Sequence, residues 1–172
     1  MQNANQTAVT ALRDLALDRV TWSRNFLNAL LADVADEQLF ARAAHCSNHA
    51  AWVMGHMATV DDNVVSTMTD QPKRLPETFR TLFGMGSQPT ERGADYPSRK
   101  ELSEAMGATR QRLKEWIATL DDLTAFEPTP ERMQRFAPNR IMLGVTVASH
   151  EMLHAGQLTV VRAAIGLPRL LQ

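Results

Sequence analysis

Apolar residues recur at helical spacing in four long stretches of the chain, and no stretch sustains the two-residue alternation of a half-buried strand. The first helix is predicted over about 6–32, with Leu12, Leu15, Trp22, Phe26 and Leu30 as its buried line. Ser47 is the expected N-cap of a second helix reaching about residue 69. Its line is Trp52 or Val53, then His56, Val60, Val64 and Met68, and Pro72 and Pro76 forbid its continuation. A third helix starts at the cap Ser98, with Leu102, Met106, Thr109, Leu113, Trp116 and Leu120 inward. The fourth spans about 141–165 and buries Leu143, Val147, His150, His154, Leu158, Val161 and Ile165. Gly166 stands at its C-terminal cap position and Pro168 follows.

The stretch 33–46 reads as a loop with a short turn. Residues 72–98 hold four of the eight prolines and three of the eight glycines, so they form a long connection, with a helical turn near 78–83. A second long connection, 121–140, contains Pro128, Pro130 and Pro138. The expected fold is all-α: one four-helix-bundle domain over 1–172, with a crossover between helices two and three. Such a crossover is allowed because the connection is long enough to run the length of the bundle.

Charge narrows the function classes. Lys plus Arg is 18 and Asp plus Glu is 19, for a net charge of -1. That balance argues against nucleic acid as a partner and against a polybasic membrane-surface binder. No apolar run approaches the ~20 residues of a spanning helix, and the polar start lacks the apolar core of a signal peptide. A single cysteine, Cys46, excludes an internal disulfide framework. A cytoplasmic protein is expected.

Chemistry concentrates in the histidines. His150 and His154, with Glu151 between, form His-Glu-x-x-His on the inward stripe of the fourth helix. Side chains four apart on a helix are neighbours, so both rings can reach one ion; the alternative is separate core histidines, each bonded to a neighbouring side chain or water. A protease-like site would need a third ligand downstream, yet no Asp, Glu, His or Cys follows His154. A third ligand must come from upstream, which favours another helix of the bundle, and His45, His49 and His56 compete for the place. His49 and His56 lie about 10 Å apart along their helix and cannot share one ion. His45 precedes the helix. His56 is central on the inward stripe, beside Gly55, which permits close backbone approach, as Gly156 does on the fourth helix.

The segment from Trp52 through Gly55 and His56 to Ala58 resembles the second-helix motif of the DinB-like superfamily. His150-Glu-Met-Leu-His154-Ala-Gly-Gln157 resembles its fourth-helix motif, and the tail from Arg162 to Pro168 is similar to the usual ending. The resemblance implies a crossover four-helix bundle and a three-histidine metal site formed by His56, His150 and His154. It implies a divalent transition metal, zinc or nickel foremost and iron or manganese next, and often a homodimer. Characterised members include thiol-dependent S-transferases and an isomerase that uses a low-molecular-weight thiol.

Three imidazoles leave an ion doubly positive and open to water or to a thiol, which gives hydrolysis or thiol transfer respectively. The substrate is then a small molecule, with a low-molecular-weight thiol as co-substrate for transfer. A non-catalytic metal-binding stress-response protein is the other class. Glu151 is the candidate base, expected toward the rim of its helix face or in solvent. Asp61 and Asp62 are expected on a solvated face, with one of them able to orient a ligand histidine. Gln157 is placed to bond inward, and Cys46 is a bystander. Leu27 and Leu31 lie off the first helix's line, which suggests an apolar patch for a homodimer. The 72–97 connection is placed to cover a pocket mouth.

Overall fold

Helix caps set the element boundaries. The computed structural model describes residues 2–90 and 96–170, with side chains from Thr7 onward. Helix α1 spans Gln2–Leu31, α2 Ala50–Thr69, α3 Glu77–Phe83, α4 Arg99–Ala118, α5 Glu131–Gln134 and α6 Arg140–Ala164. A 3-10 turn, Asp36–Gln38, lies in the predicted loop after α1. Ser98 caps α4 as predicted: its Oγ accepts the Glu101 N–H, and the Glu101 carboxylate accepts the Ser98 N–H at 2.7 Å. The cap of α2 is His49 rather than Ser47. Its Nδ1 accepts the Trp52 N–H at 3.1 Å. Asn139 caps α6, and Gly166 beyond its end takes a positive φ of 80°.

The four long helices form a bundle whose directions follow from side-chain pairings. Arg99, at the start of α4, donates to the Leu31 carbonyl at the end of α1, so these two run antiparallel. Ser23 of α1 meets Glu151 of α6, and further along Leu30 meets Arg162, so these two run parallel. His56 of α2 faces His154 of α6, while Val64 shares a cleft with Leu143 and Val147, so these run antiparallel. The order is therefore up-down-down-up. The connection from Asp70 to Ser98 must return along the bundle, which is the predicted crossover, and α3 lies within it, packed on α2.

Of the predicted line of α1, Leu30 is buried and Phe26 packs against the core, but Leu12, Leu15 and Trp22 face outward. Leu12, Leu15 and Trp22 are 39%, 50% and 47% exposed, while Val9, Ala16, Val20, Leu27, Leu30 and Leu31 are buried. The helix carries two apolar stripes, and the larger residues sit on the outer one, where Trp22 stacks on Phe26 and Arg19 lies over Trp22. Leu27 and Leu31 therefore belong to the interior, which removes the patch expected from them.

The apolar core divides into two clusters along the bundle, one around Leu27, Met57 and Leu158 and the other around Val20, Leu113 and Val147. Between them lies a layer of four buried charges, one per long helix: Arg24, Asp61, Arg110 and Glu151. Arg24 Nε donates to Glu151 at 2.6 Å and Arg110 Nε to Asp61 at 2.8 Å. Cross-links at 3.1 Å (Arg24 to Asp61) and 3.0 Å (Arg110 to Glu151) close the ring. Two cations and two anions cancel, which is the condition for burying them at tolerable cost.

Candidate metal centre

His56 on α2 and His150 and His154 on α6 point into the same space, and one ring nitrogen from each lies within 4.8 Å of the others. His150 and His154 bring their Nε2 atoms to 3.1 Å. Tetrahedral zinc ligands at 2.0–2.1 Å would stand roughly 3.3 Å apart, so the cluster is near the size of one first-row ion. Antiparallel packing of α2 on α6 brings the third ring to the pair.

The rings are also oriented. His56 Nδ1 donates to the Phe83 carbonyl at 2.7 Å, which leaves Nε2 with its lone pair. His154 Nδ1 donates to Gln157 Oε1 at 2.9 Å, and that oxygen accepts a second bond from Asn48 Nδ2, also at 2.9 Å. Committing one nitrogen to an acceptor fixes which nitrogen is left to ligate. Trp52 stacks on the His56 ring at 4.5 Å and donates its indole N–H to Ser87. Phe83 reaches the site because Gly55 has no side chain: a Cβ there would stand 2.4 Å from the Phe83 ring. Gly156, in contrast, faces open space, so no close approach depends on it.

Burial pushes both His56 and His154 down to about 4, and it also lowers His150. Near neutrality the rings are unprotonated, the form a metal needs. Three neutral imidazoles, two of them held in one tautomer by an acceptor, are a borderline-soft nitrogen donor set that fits zinc, nickel or iron.

Other predicted residues fall elsewhere. Glu151 is fully buried, neither at a rim nor in solvent. Its oxygens accept from Arg24, Arg110 and Ser23, so the carboxylate is saturated within the charged layer. Asp61 and Asp62 are buried too, contrary to the solvated face expected. Asp61 belongs to the same layer. Asp62 pairs with Arg112 at 2.9 Å and accepts the N–H groups of Arg74 and Leu75, which anchors the start of the crossover. Gln157 does bond inward, as its position suggested. His49 is locked between Trp52 and the Thr90 carbonyl, and His45 lies in the loop before α2 with φ of 62°. Cys46 is half-buried in that same loop. Sequence reasoning missed Phe83 and Asn48. The first acts through its backbone and leaves no side-chain signal. The second immediately precedes the true cap, His49, two residues beyond the expected cap Ser47.

A cleft of about 870 Å³ opens beside the cluster, with His56 and His150 in its wall. Its floor is largely apolar, and no Asp or Glu lines it among the described residues.

The model of the DinB superfamily matches residues 19–158, a span holding all three clustered histidines. The chain belongs to the DinB superfamily. No curated protein matches its sequence. A solved structure described as the conserved protein of locus from Enterococcus faecalis is 16% identical to this DinB-superfamily chain. The likeness covers 89% of this chain and 96% of that one at a TM-score of 0.67, and it speaks for the fold. Among the described residues no helix is long and apolar enough to cross a membrane.

Proposed function

We propose that His56, His150 and His154 hold a divalent transition metal, zinc or nickel foremost, and that the protein is a metal-dependent enzyme transferring a small-molecule thiol. The observation that carries this reading is the cluster itself: three convergent imidazoles, two of them with their outer nitrogens committed to fixed acceptors, beside an open cleft. When bound, a divalent ion supplies Lewis acidity that favours a thiolate at neutral pH. The chain's own residues do the rest. Phe83 and Gln157 orient the ligand rings, Trp52 walls the site, and the apolar cleft keeps water away from the electrophile. In the transfer a sulfur–carbon bond forms, the leaving group departs with its electron pair, and the thiol proton passes to solvent.

Hydrolysis is the weaker alternative. A water nucleophile gains from a carboxylate base, and Glu151 is saturated by arginines while the cleft offers no other. A non-catalytic role fits a sealed site better than one beside an open cleft such as this. The test is metal content per chain by elemental analysis, with His56→Ala, His154→Ala and Gln157→Leu alongside. About one metal per chain is expected, lost in the histidine variants and bound about 10–100-fold more weakly in Gln157→Leu. Thiol consumption with an electrophilic haloarene should depend on that metal. Folded protein that takes up no metal overturns the proposal.

A further inference from the structure

The cleft beside the histidines is electrically one-sided. Lys73, Arg132 and Arg135 line it, and no carboxylate does among the described residues. None of the three takes part in an ion pair of those residues. Lys73 also feels the charge of Glu77, so the two arginines carry the argument. Their partners are neutral: Arg132 donates to Thr67 Oγ1 at 3.1 Å, while Arg135 reaches Met85 Sδ at 3.1 Å and lies over the Phe136 ring. Val60, Val64, Leu143 and Val147 make an apolar floor. Thr67 stands eleven residues beyond His56 on α2, which is about 16 Å along the helix axis.

We propose that this cleft binds a small molecule with one anionic end and an extended apolar body. The anion sits between Arg132 and Arg135, and the body lies over the valine and leucine floor toward His150 and His56. A carboxylate pairs with guanidinium groups that lack any other anion, while a cationic or doubly anionic compact ligand matches either the rim or the floor but not both. The inference names the substrate class for the site proposed above. It rests on that reading for the chemistry but not for the binding.

The test is displacement of a bound environment-sensitive dye, on the protein as purified and after chelation. Three competitors share one chain: decanoate, decanamide and decylammonium. Decanoate is expected to displace best in both preparations, and added salt should narrow its lead. In Arg132→Gln/Arg135→Gln its half-displacement concentration should rise about tenfold, with decanamide unchanged. Both arginines are exposed, so the fold should survive the change. Equal displacement by all three competitors overturns the proposal. So does a decanoate preference that vanishes on chelation and ignores the arginine substitutions, because the metal and not the rim would then be reading the anion. Metal content measured on the same samples separates the two readings. Metal without carboxylate preference sinks only the substrate class. Carboxylate preference without metal sinks only the enzyme proposal.

Discussion

Two of the three clustered histidines are set by a hydrogen-bonding neighbour. A peptide carbonyl holds His56, and an amide already shared with Asn48 holds His154. Both rings are buried and titrate at about 4 in the folded chain, against about 6.5 when unfolded. Between these values the unfolded chain binds more protons, so stability rises with pH there. Metal-free protein should hold its full stability above about pH 6.5 and lose part of it as pH falls through about 4. Urea midpoints at pH 7.5 and pH 5 check this, and His154→Phe should shrink the difference. Metal should leave over the same acid range, because protons compete for the same lone pairs.

At the scale of elements, α3 is the piece that links the crossover to the site. Its Phe83 ring rests on Gly55 of α2, and its Phe83 carbonyl holds His56. Gly55→Ala places a methyl group inside that ring's space. We expect a loss of about 1–3 kcal/mol by chemical denaturation, together with weaker metal binding, since the ring cannot move without its carbonyl. Unchanged stability would mean that α3 relocates freely. Much of this level was legible in the sequence. The four long helices, the Ser98 cap, the Gly166 ending and the turn near 78–83 follow from local chemistry, which a chain carries in its own spacing. The histidine pair and its distant partner were legible for the same reason, since inward stripes are periodic. The face of α1 was not. Leu12, Leu15 and Trp22 outweigh Ala16 and Val20 in bulk, and the true inner face also carries Ser23 and Arg24. Polar residues on that face mask it, and they are polar because of partners on three other helices.

For the whole molecule, the charged layer is the feature that ties the helices into one register. Arg24, Asp61, Arg110 and Glu151 each sit between the two apolar clusters, and sliding any one helix by a turn would strand a charge in hydrocarbon. Glu151→Ala should cost about 3–5 kcal/mol, because it leaves two guanidinium groups facing one carboxylate. Denaturation measures that loss. A variant of normal stability with abolished turnover would instead restore Glu151 as a base. The outer stripe of α1 bears on assembly. We propose a homodimer seated on Leu12, Leu15 and Trp22 rather than on Leu27 and Leu31, since burial of exposed aromatic and leucine surface favours association. Light scattering should give twice the chain mass, and Leu15→Glu/Trp22→Glu should return it to 19.2 kDa. Monomeric wild type at working concentration removes the idea.

The acceptor that orients His56 is a main-chain oxygen. Substitution at position 83 changes the ring but leaves that oxygen in place. What displaces it is the path of the chain. The orientation of His56 therefore depends on the length of the 70–98 connection more directly than on the side chain at position 83. A change of one residue in loop length reaches that oxygen directly, which replacing the side chain at position 83 does not.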